Sequence, residues 1–339
     1  MPNVPSEFES SPSVTITTGA RLHFGPLSIG APTGREFGGW GLMIDGPQCG
    51  VVCEYSPTDE IQCSAEIRKR VEQIRDVVRQ RATDSRPLKI AVKSEIPGHL
   101  GLGSGTQLGM AVSAAVSQLL QKSFSLEVLA QMSGRGSRSA VGIYGFSSGG
   151  LLVDAGHWRD GSLGAIVSQK LVPSEWRFLL ISPSGRTGLA GALEKSAFQK
   201  LPPMTDELSG RLCRILLTEI LPAVDQNDFA TFAAALTEYS ERVGRYFAPI
   251  QNGVFSWPVP DSLLSIVREH RLGVAQSSWG PTLAIACPNE HAAAEAAEQL
   301  RNTSENDGLL LNVRMTKPRN IPAAGLAITT VNPRRGARL

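Results

Sequence analysis

At 339 residues the chain is long enough for two domains, or for one large domain with a full core. Its 42% hydrophobic and 19% charged residues are ordinary globular composition, and no apolar run approaches the roughly 20 residues that span a bilayer. The 33 basic residues against 31 acidic ones leave a net charge of +2, which excludes a global field for nucleic acid or an anionic membrane. Any preference for anions must therefore be local.

Residues 1–13 are polar, lack the apolar core of a signal peptide, and read as a disordered lead-in to a cytoplasmic protein. Val14–Thr18 alternates like a strand, and Gly19–Gly39 reads as a long functional loop rich in glycine. Gly41–Asp45 and Gly50–Glu54 suggest a hairpin turned through Gly46-Pro47. Ile67, Val71, Ile74 and Val78 repeat at helical spacing, with charged residues on the other face. Leu88–Val92 is a strand that runs into a glycine-rich loop, and Leu108, Val112, Ala115, Val116 and Leu119 form the buried face of the helix beyond it. Ser125–Met132 is a shorter helix, and Gly149–Asp154, Gly164–Leu171 and Phe178–Ile181 are strands. In the second half, Phe229, Phe232, Leu236, Tyr239 and Val243 line a helix from about Asn227. Asp261–His270 and Glu290–Arg301 are helical, and Thr282–Ala286 and Leu309–Met315 are strands. Strands alternating with helices in this half suggest a two-layer α+β domain. This divides the chain into residues 14–172 and 173–330, with a basic tail over 331–339. The five cysteines are odd in number, scattered and without a CxxC pair, which suggests neither a disulfide framework nor a zinc site.

The loop is Pro97-Gly98-His99-Leu100-Gly101-Leu102-Gly103-Ser104-Gly105-Thr106. Its glycines let the backbone approach a bulky group and take positive φ. The helix that follows presents free N–H groups and the positive end of its dipole, a ready phosphate site, with Ser104 and Thr106 as added donors. No Gly-Lys-Ser/Thr follows, so this is not a Walker loop, and no acidic ribose partner stands at dinucleotide-fold spacing.

The loop resembles the second motif of the GHMP small-molecule kinases. Ala20-Arg21-Leu22-His23-Phe24-Gly25, Gly34-Arg35-Glu36-Phe37-Gly38-Gly39, Gly134–Gly142 and Gln276–Thr282 resemble one branch of that superfamily, the β-ribofuranosylaminobenzene 5′-phosphate synthases of methanopterin biosynthesis. The match runs from about Val14 to about Leu326. It implies a GHMP-kinase fold: a ribosomal-protein-S5-like N-terminal domain, then a ferredoxin-like one. It also implies a pentosyltransferase joining phosphoribosyl pyrophosphate to 4-aminobenzoate or 4-hydroxybenzoate, with loss of carbon dioxide and pyrophosphate. A homodimer is implied by the resemblance alone. In mevalonate-kinase-like relatives an aspartate serves phosphoryl transfer in the segment before a Gly-Gly pair. Setting Gly149-Gly150 against that pair puts Gly142 where the aspartate stands, so the runner-up reading, an ATP-dependent kinase, lacks its carboxylate. A binding protein that senses a phosphorylated metabolite is the third reading.

The motifs supply Arg21, His23, Arg35, His99, Arg135 and Arg138, with Glu36 as almost the lone acid. Arginine's planar fork suits phosphate. The substrate-binding set so implied is Arg21, Gly98, Gly101, Gly103, Ser104, Gly105, Thr106, Arg135, Arg138, Ser139, Ser277, Ser278 and Trp279. The pyrophosphate would lie on the loop with magnesium expected on its oxygens, and the sequence does not show which residues would ligate the metal. The catalytic set is His23, Arg35, Asp154 and His157. Among these the sequence does not choose between His23, His157 and Asp154 as a base. Arg186 is a weaker phosphate contact.

Overall fold

The structure is a computed structural model and describes residues 12–158, 160–189 and 191–326. The lead-in over residues 1–11 and the basic tail over 331–339 lie outside the described residues. Strand β1, Ser13–His23, pairs antiparallel with β2, Gly39–Tyr55, along its whole length. It thus runs five residues beyond the expected Thr18. By the two-residue period of a strand Arg21 and His23 share one face, while Leu22 enters the core.

The hairpin expected at Gly46-Pro47 is absent, because β2 passes through that pair as one strand with a register shift opposite Gly19/Ala20. Gly-Pro is a turn signal, but here Asp45, Gly46 and Pro47 form a bulge that tertiary partners hold within the strand. Asp45 N–H donates to Lys317 O at 3.0 Å and Gly46 N–H to Thr316 Oγ1 at 3.0 Å. The two halves of β2 also find different neighbours. Gly50–Tyr55 pairs with β4, Leu88–Ser94, and Gly39–Leu42 with β5, Leu151–Asp154. A short β3, Glu60–Gln62, lies parallel to β4, and β6, Ile166–Lys170, closes the other edge.

Helix α1, Ala65–Ala82, buries Val71, Ile74 and Val78 as their spacing predicts. Helix α2, Ser104–Leu119, is buried over nearly its whole length against β1 and β2. Inside it, Gln107 accepts from Thr18 Oγ1 at 2.7 Å and donates to Gly142 O at 2.8 Å, so its buried amide is satisfied. Helix α3, Leu126–Met132, starts at Ser125, whose hydroxyl accepts from Val128 N–H. Helix α4, Val141–Ser148, has a glycine- and serine-rich sequence that reads as loop. Packing overrides that composition, since Val141, Ile143 and Phe146 are fully buried.

The second half is a sheet of four antiparallel strands in the order β10-β7-β9-β8. They are β7, Arg177–Pro183, β8, Gly273–Gln276, β9, Leu283–Cys287, and β10, Leu311–Thr316. Helix α5, Gly191–Lys200, and helix α6, Asp206–Ile215, follow β7. A π-helical stretch, Leu216–Ile220, then leads into α7, Leu221–Gln226. Helix α8, Phe229–Gln251, and helix α9, Asp261–Glu269, come next, and α10, Glu290–Asn306, links β9 to β10. Counting α8 and α10 as the crossovers, this is the βαββαβ arrangement of a ferredoxin-like domain, as expected.

The halves share one core. Trp40 of β2 meets Tyr239 of α8 edge-on at 5.7 Å, and Trp176 lies 4.6 Å from Phe232. The chain then returns: Ala324 bridges Thr17, Pro318 bridges Ile44, and the buried Arg319 pairs with Asp45 at 3.0 Å. No helix among the described residues is long and apolar enough to cross a membrane.

Candidate active site

A cleft of about 500 Å³ opens where β1, the glycine loop and the start of α2 face α5, α8 and the Gln276–Thr282 loop. β1 ends there with Arg21 and His23. The loop is locked to it, as Arg21 N–H donates to Leu102 O and the Ser277 hydroxyl donates to Gly101 O at 2.7 Å. Ser277 Oγ also accepts from His23 N–H at 3.1 Å. Its hydroxyl is therefore spent on positioning, and fully buried Ser277 does not line the cleft as the sequence had suggested.

Glycine is required where the loop meets its neighbours. A Cβ on Gly101, whose φ is +76°, would stand 2.2 Å from Ser277 O. At Gly105 the obstacle is a side chain instead, Arg135 Nη2 at 2.2 Å. Arg135 thus lies across the first turn of α2, where backbone N–H groups are open to a ligand.

Burial pulls the pKa of Arg21 and of Arg135 down to about 10, and the charge of Arg70 adds to this at Arg135. Among the described residues the Nε of Arg21, Arg70 and Arg135 find no hydrogen-bond partner. Arg138 pairs with Glu194 at 2.5 Å and stands 5.3 Å over the Phe198 ring. Four arginines therefore line the cleft against one carboxylate, Glu194. His23 is held neutral, its pKa well below the usual range through burial and then Arg21's charge. Its Nδ1 accepts from Gly25 N–H at 3.3 Å, which leaves the proton on Nε2.

Arg21, His23, Gly101, Gly103, Ser104, Gly105 and Thr106 come together in the cleft as the sequence suggested. So do Arg135, Arg138, Ser139, Ser278, Trp279 and His99. Gly98, Arg35, Asp154 and His157 do not line it. Arg35 donates to Gly156 O at 2.9 Å and stacks over Trp158 at 4.8 Å. Asp154 is fully buried, and its carboxylate accepts from Ala140 N–H at 2.6 Å and Gly156 N–H at 2.8 Å. Burial pushes its pKa up. It holds the start of α4 and is not a base facing the cleft. His157 packs 5.5 Å from the Phe37 ring, with Nδ1 donating to Trp158 O at 2.8 Å. Arg186 is exposed and lies outside the lining.

Sequence reasoning missed Arg70, Glu194, Phe198 and Phe247. Arg70 alone carried a signal, since it falls between Ile67 and Ile74 on the buried stripe of α1 and not on the solvated face.

Residues 69–150 match the family GHMP kinases N terminal domain, and residues 220–306 match GHMP kinases C terminal. A β-ribofuranosylphenol 5′-phosphate synthase from Archaeoglobus fulgidus is 30% identical over 67% of this chain and 75% of its own length. The chain belongs to that synthase family. Another member, from Methanothermobacter thermautotrophicus, is 27% identical over 79% of this chain and 87% of its own. Among solved structures, homoserine kinase from Cytophaga hutchinsonii superposes with a TM-score of 0.66 at 15% identity, covering 95% of this chain and 99% of its own. Mevalonate diphosphate decarboxylase from Staphylococcus aureus gives 0.67 at 14%, covering 93% and 98%. These two likenesses establish the fold alone.

Proposed function

We propose that the chain is a pentosyltransferase that joins phosphoribosyl pyrophosphate to 4-hydroxybenzoate or 4-aminobenzoate, releasing carbon dioxide and pyrophosphate. The observation that carries this reading is the charge of the cleft: four arginines and a helix N-terminus face one carboxylate. A polyanion fits that excess. The family relatives, named as synthases of a ribofuranosylphenol phosphate, supply the reaction type.

The bond from the anomeric carbon to pyrophosphate breaks, and a bond to the ring carbon bearing the carboxylate forms. The carboxylate then leaves as carbon dioxide, its electron pair restoring the aromatic ring, while pyrophosphate carries away the negative charge. Arg135 and the first turn of α2 stabilise the departing pyrophosphate, and Arg21 stands behind them. Magnesium belongs to the proposal as an ion on the pyrophosphate oxygens. The Ser104 and Thr106 hydroxyls, which line the cleft, would hold that ion.

The kinase reading is disfavoured by the place of Gly142. A Cβ there would lie 3.3 Å from Thr106 Cγ2, 3.4 Å from Gln107 Nε2 and 3.7 Å from Arg21 Nε. The position that the resemblance gives to a kinase aspartate therefore bears no carboxylate, although Thr106, Gln107 and Arg21 lie beside it. The deciding assay supplies magnesium, phosphoribosyl pyrophosphate and carboxyl-labelled acid, and collects labelled carbon dioxide. Release with either acid is expected. No release, with ADP formed from ATP and a small alcohol, overturns the reading.

A further inference from the structure

A transfer from phosphoribosyl pyrophosphate asks for both signs of charge. The departing pyrophosphate needs cations, and the arginines supply them. The ribose left behind needs the reverse, because the bond at the anomeric carbon breaks with both electrons going to pyrophosphate. The positive charge that remains is shared by the anomeric carbon and the ring oxygen. Four guanidiniums raise the energy of that state by like-charge repulsion. Among the described residues of the lining, Glu194 alone carries the opposite charge.

Glu194 is built into the site. It sits on α5 with Phe198 one helical turn further on, so both face the cleft, their Cβ atoms roughly 5–6 Å apart. Arg138 spans the two, pairing with the Glu194 carboxylate at 2.5 Å and lying 5.3 Å over the Phe198 ring. The charge of Glu194 also reaches Arg21 and Arg135, which stand against Gly103 and Gly105 at the start of α2. Glu194 therefore lies between two unlike ends of the cleft. One is the arginine end. The other carries the half-buried rings of Phe198 and Phe37, which meet edge-on at 5.5 Å.

Stereochemistry brings the ribose to the same point. Phosphoribosyl pyrophosphate is the α anomer, and the relatives are named for a β-ribofuranosyl product. A single inversion converts one into the other, with leaving group and acceptor ring on opposite sides of the anomeric carbon. Pyrophosphate at Arg135 and an aromatic acid against Phe198 put that carbon between them, beside Glu194. Resting on the transferase reading, we propose that Glu194 is a catalytic residue whose carboxylate faces the anomeric carbon and stabilises its positive charge as pyrophosphate departs. It forms no bond to the sugar, because a covalent sugar–enzyme intermediate requires two inversions and returns the α product. It exchanges no proton either. The acceptor ring carbon supplies the electron pair of the new bond, and the acceptor carboxylate leaves as carbon dioxide. Arg138 is a positioning residue that holds the Glu194 carboxylate in place. Charge set against the transition state in this way acts on kcat and not on substrate binding.

The test measures the single-turnover rate of carbon dioxide release and KM for phosphoribosyl pyrophosphate in the full chain, in Glu194→Gln and in Glu194→Asp. The rise in Tm with inorganic pyrophosphate reports that the cleft is intact. Glu194→Gln keeps the shape and loses the charge. It should slow the reaction about a hundredfold, the usual loss when one preorganised charge-stabilising group is removed. KM should hold or fall, because a repelling carboxylate has left an anion site. Glu194→Asp keeps the charge, drawn back by one methylene, and should recover about tenfold of the lost rate. A carboxylate that only pairs with Arg138 predicts a lower Tm with the rate unchanged. An unchanged rate in Glu194→Gln, or equal rates in Glu194→Gln and Glu194→Asp, overturns the inference. Should Glu194→Gln fail to fold, Glu194→Asp decides alone: a rate about tenfold below the unsubstituted chain supports the role, and one within twofold overturns it. Absence of carbon dioxide release from the unsubstituted chain is a different result, and it overturns the transferase reading itself.

Discussion

His23 was one of three candidates for a base, and its surroundings assign it the opposite part. Nδ1 accepts from Gly25 N–H, so the proton sits on Nε2, and burial with Arg21 nearby keeps the ring neutral. The sign of the pH effect follows. Its folded pKa lies below the unfolded value of 6.5, so in acid the unfolded chain binds the proton first. Stability from this residue is full above about 6.5 and falls as pH drops from there toward the folded value. His23→Gln should therefore lose less stability between pH 7 and pH 5 than the unsubstituted chain, as read by urea unfolding at each pH. A steeper acid-side loss in His23→Gln would contradict the assignment. Arg21 and His23 were named from sequence through the motif that resembles the synthases; the strand that sets them on one face was not legible, because residues 19–23 read as loop and are drawn into β1 by pairing with β2. Asp154 and Arg35 could not be placed, because the Asp154 carboxylate is taken by the N–H groups of Ala140 and Gly156 and the Arg35 guanidinium by Gly156 O, and the Ala140 and Arg35 contacts exist only once the loops fold.

The glycine loop shows how an element can impose different demands at similar residues. Gly101 has both a positive φ and a backbone oxygen 2.2 Å from its absent Cβ, and backbone cannot step aside. Gly105 is helical, and its obstacle is the movable tip of Arg135. Gly101→Ala should thus cost about 2 kcal/mol or more and lower Tm, since strained backbone alone costs 1–3 kcal/mol. Gly105→Ala should leave Tm nearly unchanged, displace Arg135 and raise KM for phosphoribosyl pyrophosphate. Calorimetry with steady-state kinetics on both variants checks the pair, and equal losses of Tm would contradict it. The loop, α1, α2, α8 and α10 were legible because glycine spacing and helical periodicity are local signals. The continuation of β2 through a bulge at Gly46-Pro47 and the helix α4 were not. Each is set by a distant partner: residues 316 and 317 for the former, and buried packing with the Asp154 carboxylate for the latter.

At the scale of the whole molecule, near-neutral net charge hides a concentrated imbalance. Arg21, Arg70, Arg135 and Arg138 converge on one cleft, and the pKa of Arg135 is held near 10 by burial and by its neighbours' charges. Charge that the fold would rather not hold marks a site whose ligand is an anion, since activity is commonly maintained at the expense of stability. Inorganic pyrophosphate should therefore raise Tm, by the mass-action term of about 2.7 kcal/mol at a hundredfold excess over Kd. The rise should shrink as sodium chloride screens the exposed side of the cleft. Arg135→Gln separates stability from function. It relieves repulsion, so the free protein should melt higher, by about 2–4 °C for each kcal/mol relieved in a domain of this order of size. It also removes a guanidinium from the first turn of α2, so the pyrophosphate-induced rise should largely vanish. A lower Tm for free Arg135→Gln with the pyrophosphate response intact would mean that Arg135 serves the fold. A higher Tm with the response lost identifies a cation held in place for a polyanion.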